Sequence, residues 1–468
     1  MVEAAMVNSS AQSALRGRMT VRNRSTRTAA AIVALALAGG MTGTAAAEQR
    51  PTVDGFWRVA GYGTVLSIAD GRLQEYQTTA VSCLQGDSAK ETARGVYRAA
   101  DGTVLTVRPT GSLQVAGSAG DRTLRRIAKL PAACGHSLPE DPVTTFDVFW
   151  QSFEENYPFF AAKGIDWHAV RDEYRPKVHA DTTRSELFTL FSRMVKPLYD
   201  AHVAVFDGDR HFARVRPGTS MPDEKLDAKA KAHVVRRDLK GNEPREFANG
   251  RISYADLPGG QGYLRISGFA AYDKQDPSYA AQLAELDKAL DAVFSTRRTA
   301  RLKGLIIDLR INGGGSDALG LRVAERLTDS PYLAYRKRTQ YTRPQPILVR
   351  PARGMARYSG PVAVLTGGTT VSAGETFTQA LMDRPSRTLR IGEPTQGVFS
   401  DVLDRRLPNG MAVWLPNEEF LTSRGRTFDG TGIPPHLRTS VFTKEEFAKN
   451  RDSAFDAAVA ALRDQRLS

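Results

Sequence analysis

The sequence predicts a multidomain α+β protein, in which a small β-rich N-terminal domain and a helical bundle precede an α/β core of βαβ units. Three observations lead to this prediction. The chain has 468 residues, too many for one ordinary hydrophobic core, so about two to four domains are expected. Near Asp141 the hydrophobic pattern changes from the alternation of strands to the spacing of helices. Later, strand, helix and strand follow one another in the order of a right-handed parallel crossover.

The composition bounds the partners of the protein. With 41% hydrophobic and 25% charged residues, it is ordinary for a soluble globular protein. The formal net charge of +13 is high, but the basic residues are scattered and form no nucleic-acid motif. We therefore expect no nucleic-acid partner, and we interpret the surplus charge as a solvated surface.

Residues 1–47 have the organisation of a secretory signal peptide. Basic residues precede an apolar run at 29–38, and small residues follow at 44–47 before Glu48. The apolar run is short for a spanning helix, so we expect cleavage after Ala47 and no stable membrane span afterwards. The sequence thus predicts a secreted, periplasmic or cell-envelope protein, and a retained amphipathic helix is the weaker alternative.

Residues 48–137 form the predicted β-rich N-terminal domain, a compact sheet or barrel that positions or docks a substrate. Alternation and β-branched residues indicate strands, and Asp-Gly pairs indicate turns. Cys83 and Cys134 are the only cysteines, and in an exported chain they suggest one disulfide. A disulfide that closes the loop between them would stabilise the folded state by roughly 4 kcal/mol. Two unrelated buried thiols are the alternative, and the spacing fits no zinc site.

The next two segments differ in character. Residues 138–212 are predicted to form a helical bundle, whose first helix follows a threonine cap at Thr145 and carries aromatic residues at helical spacing. Residues 213–261 are polar and poor in large apolar side chains, which indicates a linker or lid with at most one hairpin. The core follows at 262–445, and a C-terminal helix is expected at 446–468.

Ser372 stands out in the core. An apolar strand at 362–365 leads through a small-residue turn to this serine, where helical spacing begins. Free N–H groups at a helix start favour developing negative charge, which suits a nucleophile. A plain N-cap is the alternative for a serine in this position.

Two further features could complete a catalytic site. A glycine-rich stretch, residues 312–316, follows the strand at 304–310, and its amides could cradle a phosphate or form an oxyanion hole. The Lys-Ser/Thr pair of a P-loop is missing, so the oxyanion hole fits better. Among the seven histidines, His202 alone lies at an element junction beside an acid, Asp200, although a structural histidine is also common there.

Four short motifs together resemble the S41 family of serine peptidases, which comprises the tail-specific (C-terminal processing) proteases and their tricorn-core and retinoid-binding relatives. The motifs are Asp-Leu-Arg-Ile-Asn-Gly-Gly-Gly at 308–315, Ser-Ala-Gly-Glu at 372–375, Gly-Glu-Pro-Thr-Gln-Gly at 392–397 and Asp-Gly-Thr-Gly-Ile-Pro-Pro at 429–435. The sequence ending in His202 also resembles the Asp-x-His of the family. The resemblance implies a ClpP/crotonase-like core, and no clear PDZ domain is visible at 213–261.

The resemblance implies a site, with one departure. Where tail-specific proteases have a catalytic lysine, this chain has Val398. The tricorn-like branch instead uses serine, histidine and a late glutamate, which correspond here to Ser372, His202 and, as a shorter acid, Asp429. Glu418 and Glu419 are rivals for the acid, and Asp429 could also be a simple turn former.

The remaining roles also come from the resemblance. The oxyanion donors would be the amides of Gly314 or Gly315 and of Ala373. No metal or organic cofactor is implied. The supporting residues would be Asp200 as a brace of the His202 turn, Asp308 as a strand-end structural acid, Arg310 as a structural ion-pair partner, and the motif residues Asn312, Glu375, Thr395 and Gly397.

The function expected from these features is that of a secreted serine peptidase acting on peptides or unfolded proteins. A catalytically inactive protein that carries a peptide or apolar ligand on the same fold is the main alternative, and the missing lysine would suit it. An esterase or lipase fits less well, because the first glycine of their nucleophile elbow is absent at Thr370. An oligomer is possible, and the sequence leaves its size open.

Overall fold

The structure, a computed structural model, describes residues 52–463. The predicted signal peptide at 1–47 lies outside the described residues, as does the end of the predicted C-terminal helix at 464–468. None of the helices within 52–463 is long and apolar enough to cross a membrane. The architecture is mixed α/β with an N-terminal barrel, which agrees with the predicted class. The ClpP/crotonase-like character of the core stays a prediction.

A closed barrel of eight antiparallel strands forms the N-terminal part, because β1 pairs with both β2 and β8. The strands are β1 (Gly55–Val59), β2 (Thr64–Ala69), β3 (Arg72–Thr78), β4 (Cys83–Ala93), β5 (Val96–Ala99), β6 (Val104–Arg108), β7 (Ser112–Val115) and β8 (Arg122–Ile127). Closure leaves no free sheet edge. The disulfide between Cys83 and Cys134, with a Cα–Cα distance of 4.8 Å, joins β4 to the segment after the barrel. The predicted β-rich module and its disulfide are confirmed.

Three helices follow the barrel: α1 (Pro142–Asn156), α2 (Trp167–Tyr174) and α3 (Arg184–Val195). Their aromatic residues form the expected core, in which Phe149 and Phe191 stack with ring centroids 3.9 Å apart. The expected threonine cap is wrong, because the Asp141 carboxylate accepts the amides of Val143 and Thr144 and the helix begins at Pro142. A carboxylate followed by proline is a stronger start signal than a threonine three residues inside the helix.

The segment 213–261 is not a linker. Strands β9 (Ala204–Asp207) and β10 (Arg210–Ala213) lead into helix α4 (Glu224–Arg237), followed by β11 (Arg245–Phe247) and β12 (Ile252–Leu257). The few apolar residues of α4, including Val234, lie on one face and pack against the core. Sparse apolar residues therefore suffice for a helix that is buried on one side only.

The remaining elements belong to the core. In chain order they are β13 (Gln261–Ile266), α5 (Tyr279–Val293), α6 (Thr296–Thr299), β14 (Gly304–Asp308), β15 (Ile311–Asn312), α7 (Asp317–Ala324), β16 (Tyr332–Thr339), β17 (Gln345–Val349), β18 (Val362–Thr366), β19 (Thr369–Thr370), α8 (Ala373–Ala380), β20 (Thr388–Gly392), β21 (Val402–Arg406), β22 (Ala412–Pro416), β23 (Glu418–Leu421), β24 (Leu437–Arg438), α9 (Lys444–Ala448) and α10 (Ser453–Arg463).

A seven-stranded sheet organises the core, in the order β11-β12-β13-β14-β18-β20-β24. Strands β13, β14, β18, β20 and β24 are parallel, as the predicted crossover requires. The carboxyl ends of parallel strands are where open α/β sheets place their functional loops. Here β14 and β18 are neighbours, and the glycine-rich stretch and Ser372 follow their carboxyl ends.

A second sheet ties the helical region to the core. Its order is β10-β9-β22-β21, so the strand that follows His202 pairs with a strand far along the chain. Val413 and Leu415 of β22 also belong to the aromatic core of the three helices. The helical region and the core therefore share packing, which fixes the position of His202.

Candidate active site

Ser372 lies in a strained turn between β18 and α8. Its backbone angles are φ 54° and ψ −118°, a region that non-glycine residues rarely adopt. Such a conformation costs about 1–3 kcal/mol and is found mainly where the surrounding structure enforces it, often in active sites. The Glu375 carboxylate helps to enforce it by accepting the amide of Ser372 at 3.1 Å. A serine exposed on a strained strand-to-helix turn is the geometry of a nucleophile elbow.

The glycine loop, residues 312–316, lies directly against this turn. Strands β15 and β19 pair in parallel, which aligns Asn312 with Thr370. A Cβ atom on Gly314 would lie only 2.7 Å from the Ser372 Cβ and 3.2 Å from the Ala373 amide nitrogen. The positive φ of 82° at Gly314 likewise requires glycine. The loop can approach the serine only because this position has no side chain.

Two of the three predicted oxyanion donors are available. The amide of Gly314 is already donated to Asn312 Oδ1 at 2.9 Å, so Gly314 is a poor donor to a substrate. In contrast, the amides of Gly315 and Ala373 have no acceptor within residues 52–463. Ala373 is the first residue of α8, where helix amides are unpaired. The candidate oxyanion hole therefore consists of Gly315 and Ala373.

His202 is brought to the site by the packing of its neighbour. Ala201 forms a small apolar cluster with Val371 and Val398, the residue before Ser372 and the residue at the expected lysine position. The imidazole is 9% exposed, and its Nδ1 atom has no hydrogen-bond partner among the described residues. Burial lowers the pKa of His202, while Asp200 and the backbone of Phe399 raise it in part. A histidine with a lowered pKa is neutral near pH 7 and can accept a proton.

Asp429 does not contact the imidazole as expected. Its carboxylate accepts the amide of Phe399 at 3.1 Å and pairs with Lys163 at 3.3 Å, and no described hydrogen bond joins it to His202. Hydrogen bonding to the backbone of Phe399 raises the pKa of the imidazole, so Asp429 and His202 both interact with the same residue. Aspartate has one methylene less than the glutamate of the tricorn-like branch, which explains the shorter reach. Burial, together with the nearby Asp200, raises the pKa of Asp429 well above its usual range, and Lys163 opposes this shift.

Asp200 braces the turn that carries His202. Its Oδ1 atom accepts the backbone amide of His202 at 3.0 Å, and its Oδ2 atom accepts the Tyr157 hydroxyl at 2.9 Å. The side chain is 2% exposed. These are the contacts of a positioning residue.

Lys163 is the site residue that the sequence did not indicate. It follows α1 in a loop, and its ammonium lies 3.5 Å from Asp200 and 3.3 Å from Asp429. Its side chain is 8% exposed, so it supplies a buried positive charge to two buried carboxylates. No motif distinguishes this lysine from other loop lysines, and only the need of buried carboxylates for a cation could have suggested one.

Glu375 connects the nucleophile turn to the later motifs. In addition to the amide of Ser372, its carboxylate accepts the amides of Gly397 at 2.6 Å and of Val398 at 2.8 Å. Burial raises its pKa to about 7, while hydrogen bonds from Thr395 and from these three amides act in the opposite direction.

The motifs at 392–397 and 429–435 also bind each other. Thr395 Oγ1 accepts the amide of Ile433 at 2.7 Å, and Gly430 donates to the carbonyl of Gly397 at 2.8 Å. Together with Glu375, these contacts fix Phe399, and with it the surroundings of His202.

The other supporting residues have structural contacts. Asp308 accepts from Arg310 and from the Tyr263 hydroxyl, and Arg310 also pairs with Asp452 at 2.6 Å in the interior. Asn312 Nδ2 donates to the carbonyl of Ile266 at 2.8 Å. These contacts hold the glycine loop against the seven-stranded sheet.

The rival acids are engaged elsewhere. Glu418 contacts Tyr62, Lys337 and the amide of Asp401, and Glu419 pairs with Arg338. Within residues 52–463, no three His, Cys, Asp or Glu side chains are grouped as a metal site would need.

Parts of the chain match known peptidase families. Peptidase family S41 matches residues 260–439, and the tricorn protease C1 domain matches residues 139–196. Carboxyl-terminal-processing peptidase 2, chloroplastic, of Arabidopsis thaliana is 29% identical over 190 residues, which cover 40% of this chain and 33% of that protein. The chloroplastic C-terminal processing peptidase of Tetradesmus obliquus is 29% identical over 195 residues, covering 40% of this chain and 38% of that protein. The chain thus spans little more than a third of the length of these relatives.

Solved structures also resemble the chain. A candidate peptidase from Parabacteroides merdae superimposes with a TM-score of 0.57 at 25% identity. The match covers 69% of this chain and 96% of that one.

Proposed function

We propose that this chain, whose residues 260–439 match peptidase family S41, is a secreted serine peptidase that hydrolyses peptide bonds in peptides or unstructured polypeptides. The observation that carries the proposal is the strained backbone of Ser372 beside two amides without acceptors, those of Gly315 and Ala373. A simple helix cap does not need the strain at Ser372. Secretion is supported by the leader at 1–47 and by the disulfide.

In the proposed reaction each of these groups has one role. His202 accepts the hydroxyl proton of Ser372, whose oxygen attacks the scissile carbonyl. The carbonyl oxygen becomes an oxyanion and accepts the amides of Gly315 and Ala373. The protonated His202 then gives its proton to the leaving amine, which leaves an ester on Ser372. A water molecule, deprotonated by His202, hydrolyses this ester and restores the serine.

Asp429 acts on the base indirectly in this proposal. It holds the amide of Phe399, and the backbone of Phe399 lies beside the imidazole. The Ser-His-Asp triad of the proposal is therefore relayed through a peptide group. Asp200 orients the same histidine through its backbone amide.

Hydrolysis of casein and of a quenched, unstructured peptide library by the purified chain tests the proposal. Ser372→Ala and His202→Ala should each lose at least 1,000-fold in kcat, on the order seen when triad members are removed. His168→Ala is the matched control, because this histidine is exposed and, among the described residues, pairs only with Glu154 and the Trp150 ring. Equal activity in all four proteins would refute the proposed site. No activity in any of them, combined with peptide binding, would favour the inactive binding protein.

A further inference from the structure

The barrel contacts the catalytic core at the glycine loop itself. We define residues 116–121, which connect β7 to β8, as the barrel loop. Ser316, next to Gly315, donates its hydroxyl to the carbonyl of Gly117 at 2.6 Å. Asp317, the first residue of α7, accepts the amide of Ala119 at 2.9 Å. The barrel therefore holds the chain one and two residues beyond a candidate oxyanion donor.

The same barrel loop reaches the segment that follows Phe399. Ser118 donates to Asp401 Oδ2 at 2.6 Å. The Lys337 ammonium lies 3.2 Å from both Ser118 Oγ and the carbonyl of Ala119, and 3.3 Å from Asp401. Phe399 is two residues before Asp401 and lies beside His202. One loop thus bridges the two sides of the catalytic site.

These contacts are buried and closely fitted. Lys337 is 7% exposed and Asp317 6%. A Cβ atom on Gly120 would lie 2.5 Å from Gln345 Oε1, so the loop fits the core without space for a side chain there. A buried charge is stable only if hydrogen bonds and ion pairs offset the cost of removing it from water. Loss of the barrel contacts would remove partners from Lys337, Asp317 and Asp401 together.

We propose that the barrel loop is a positioning element of the active site, which holds the glycine loop and the Phe399 segment in their catalytic arrangement. The inference rests on the proposed peptidase function, and it assigns the barrel a role in turnover. Recruitment of substrate alone would need no hydrogen bonds to Ser316, Asp317 or Asp401. Ser118 is the positioning residue whose side chain makes the link.

Kinetics of Ser118→Ala test this role. The substitution removes a hydrogen bond to the partly buried Asp401 carboxylate, and we expect kcat to fall roughly tenfold with little change in KM. Thr103→Ala is the matched control, because Thr103 also donates its hydroxyl to an aspartate in a barrel turn, but only to Asp101 within the barrel. The control should keep the wild-type kcat.

Asp317 provides a second test with a conservative rescue. Asp317→Ala removes the acceptor of the Ala119 amide, whereas Asp317→Asn keeps an oxygen in that position. Burial raises the pKa of Asp317 to about 7, which makes the neutral amide a close substitute. We expect kcat to fall in Asp317→Ala and to be largely restored in Asp317→Asn, at equal melting temperatures or after correction for the folded fraction.

Hydrogen exchange makes the inference testable apart from peptidase activity. The amides of 313–317 and 399–402 should exchange faster in Ser118→Ala and Asp317→Ala, and at the wild-type rate in Thr103→Ala. Unchanged exchange together with unchanged kcat in an active enzyme would overturn the proposed role. If the wild-type chain hydrolyses no peptide, the proposed function fails, and the exchange rates alone then decide whether the barrel loop holds the glycine loop.

Discussion

Lys163 Nζ lies 3.3 Å from Asp429 Oδ1, and the same ammonium lies 3.5 Å from Asp200 Oδ2. The lysine comes from the helical region, Asp200 from the turn that carries His202, and Asp429 from the last motif of the core. All three side chains are at most 8% exposed. One buried cation thus joins the three parts of the chain that surround the histidine. Removal of one partner from such a group leaves uncompensated buried charge.

Lys163→Met should therefore lower the free energy of unfolding by about 3–5 kcal/mol, measured by urea denaturation. Lys163→Arg, which keeps the charge, should lower the free energy of unfolding by less. Lys177→Met is the control. Lys177 pairs with Glu173 on the surface, so the loss of this ion pair should hardly change the free energy of unfolding. A Lys163→Met protein as stable as wild type would contradict the bridging role.

The acid limb of the kcat/KM profile should lie below about pH 6.5, the usual pKa of histidine. Burial lowers the pKa of His202, so the base stays neutral and active until the pH falls through this lowered value. The charges that face it are Asp200 and Asp401, which raise the pKa, and Lys163, which lowers it. Asp200→Asn should move the limb to still lower pH. A limb near pH 7 or above would exclude His202 as the base.

Gly314→Ala should reduce kcat on the order of 100-fold, because the added methyl group would lie 2.7 Å from the Ser372 Cβ and displace the nucleophile. Gly241→Ala is the matched control. Gly241 also has a positive φ, 78°, but a methyl group there meets no atom within 4 Å. Both variants bear similar backbone strain, so only crowding at the serine distinguishes them. Equal kcat values for the two variants would show that the close approach is unimportant.

Glu375→Ala should lower both stability and kcat, because the amides of Ser372, Gly397 and Val398 lose their acceptor. Each buried amide left unpaired costs about 1–3 kcal/mol. Thermal unfolding and peptide hydrolysis measure the two effects. Glu186→Ala is the control, since Glu186 occupies the same position in the exposed capping box of α3. If both variants behave alike, Glu375 is only a helix cap.

The sequence predicted those parts of the site that depend on local pattern. The hydrophobic spacing and the small residues before Ser372 predict its strand-to-helix junction. Gly315 lies in the expected glycine loop, and Ala373 is the first residue of the expected helix. His202 was selected by its position at the end of the helical region. Parallel pairing of the two strands before these loops also followed from the order of the elements.

The parts that the sequence did not predict depend on contacts between distant residues. Lys163 is one loop lysine among many until the fold brings it to two carboxylates. That Asp429 and His202 both interact with the backbone of Phe399 depends on side-chain reach, which no spacing rule provides. Helix α4 was missed because its apolar face is narrow. The link from Ser118 to Asp401 depends on how the barrel packs against the core.

The site of covalent labelling by a fluorophosphonate probe, located by mass spectrometry, tests the central claim most directly. The probe reacts with a serine only where a base and an oxyanion hole activate it. We predict one adduct on Ser372 in the native protein, and its loss in His202→Ala and after unfolding. No adduct on Ser372, or an equal yield in His202→Ala, would contradict the account.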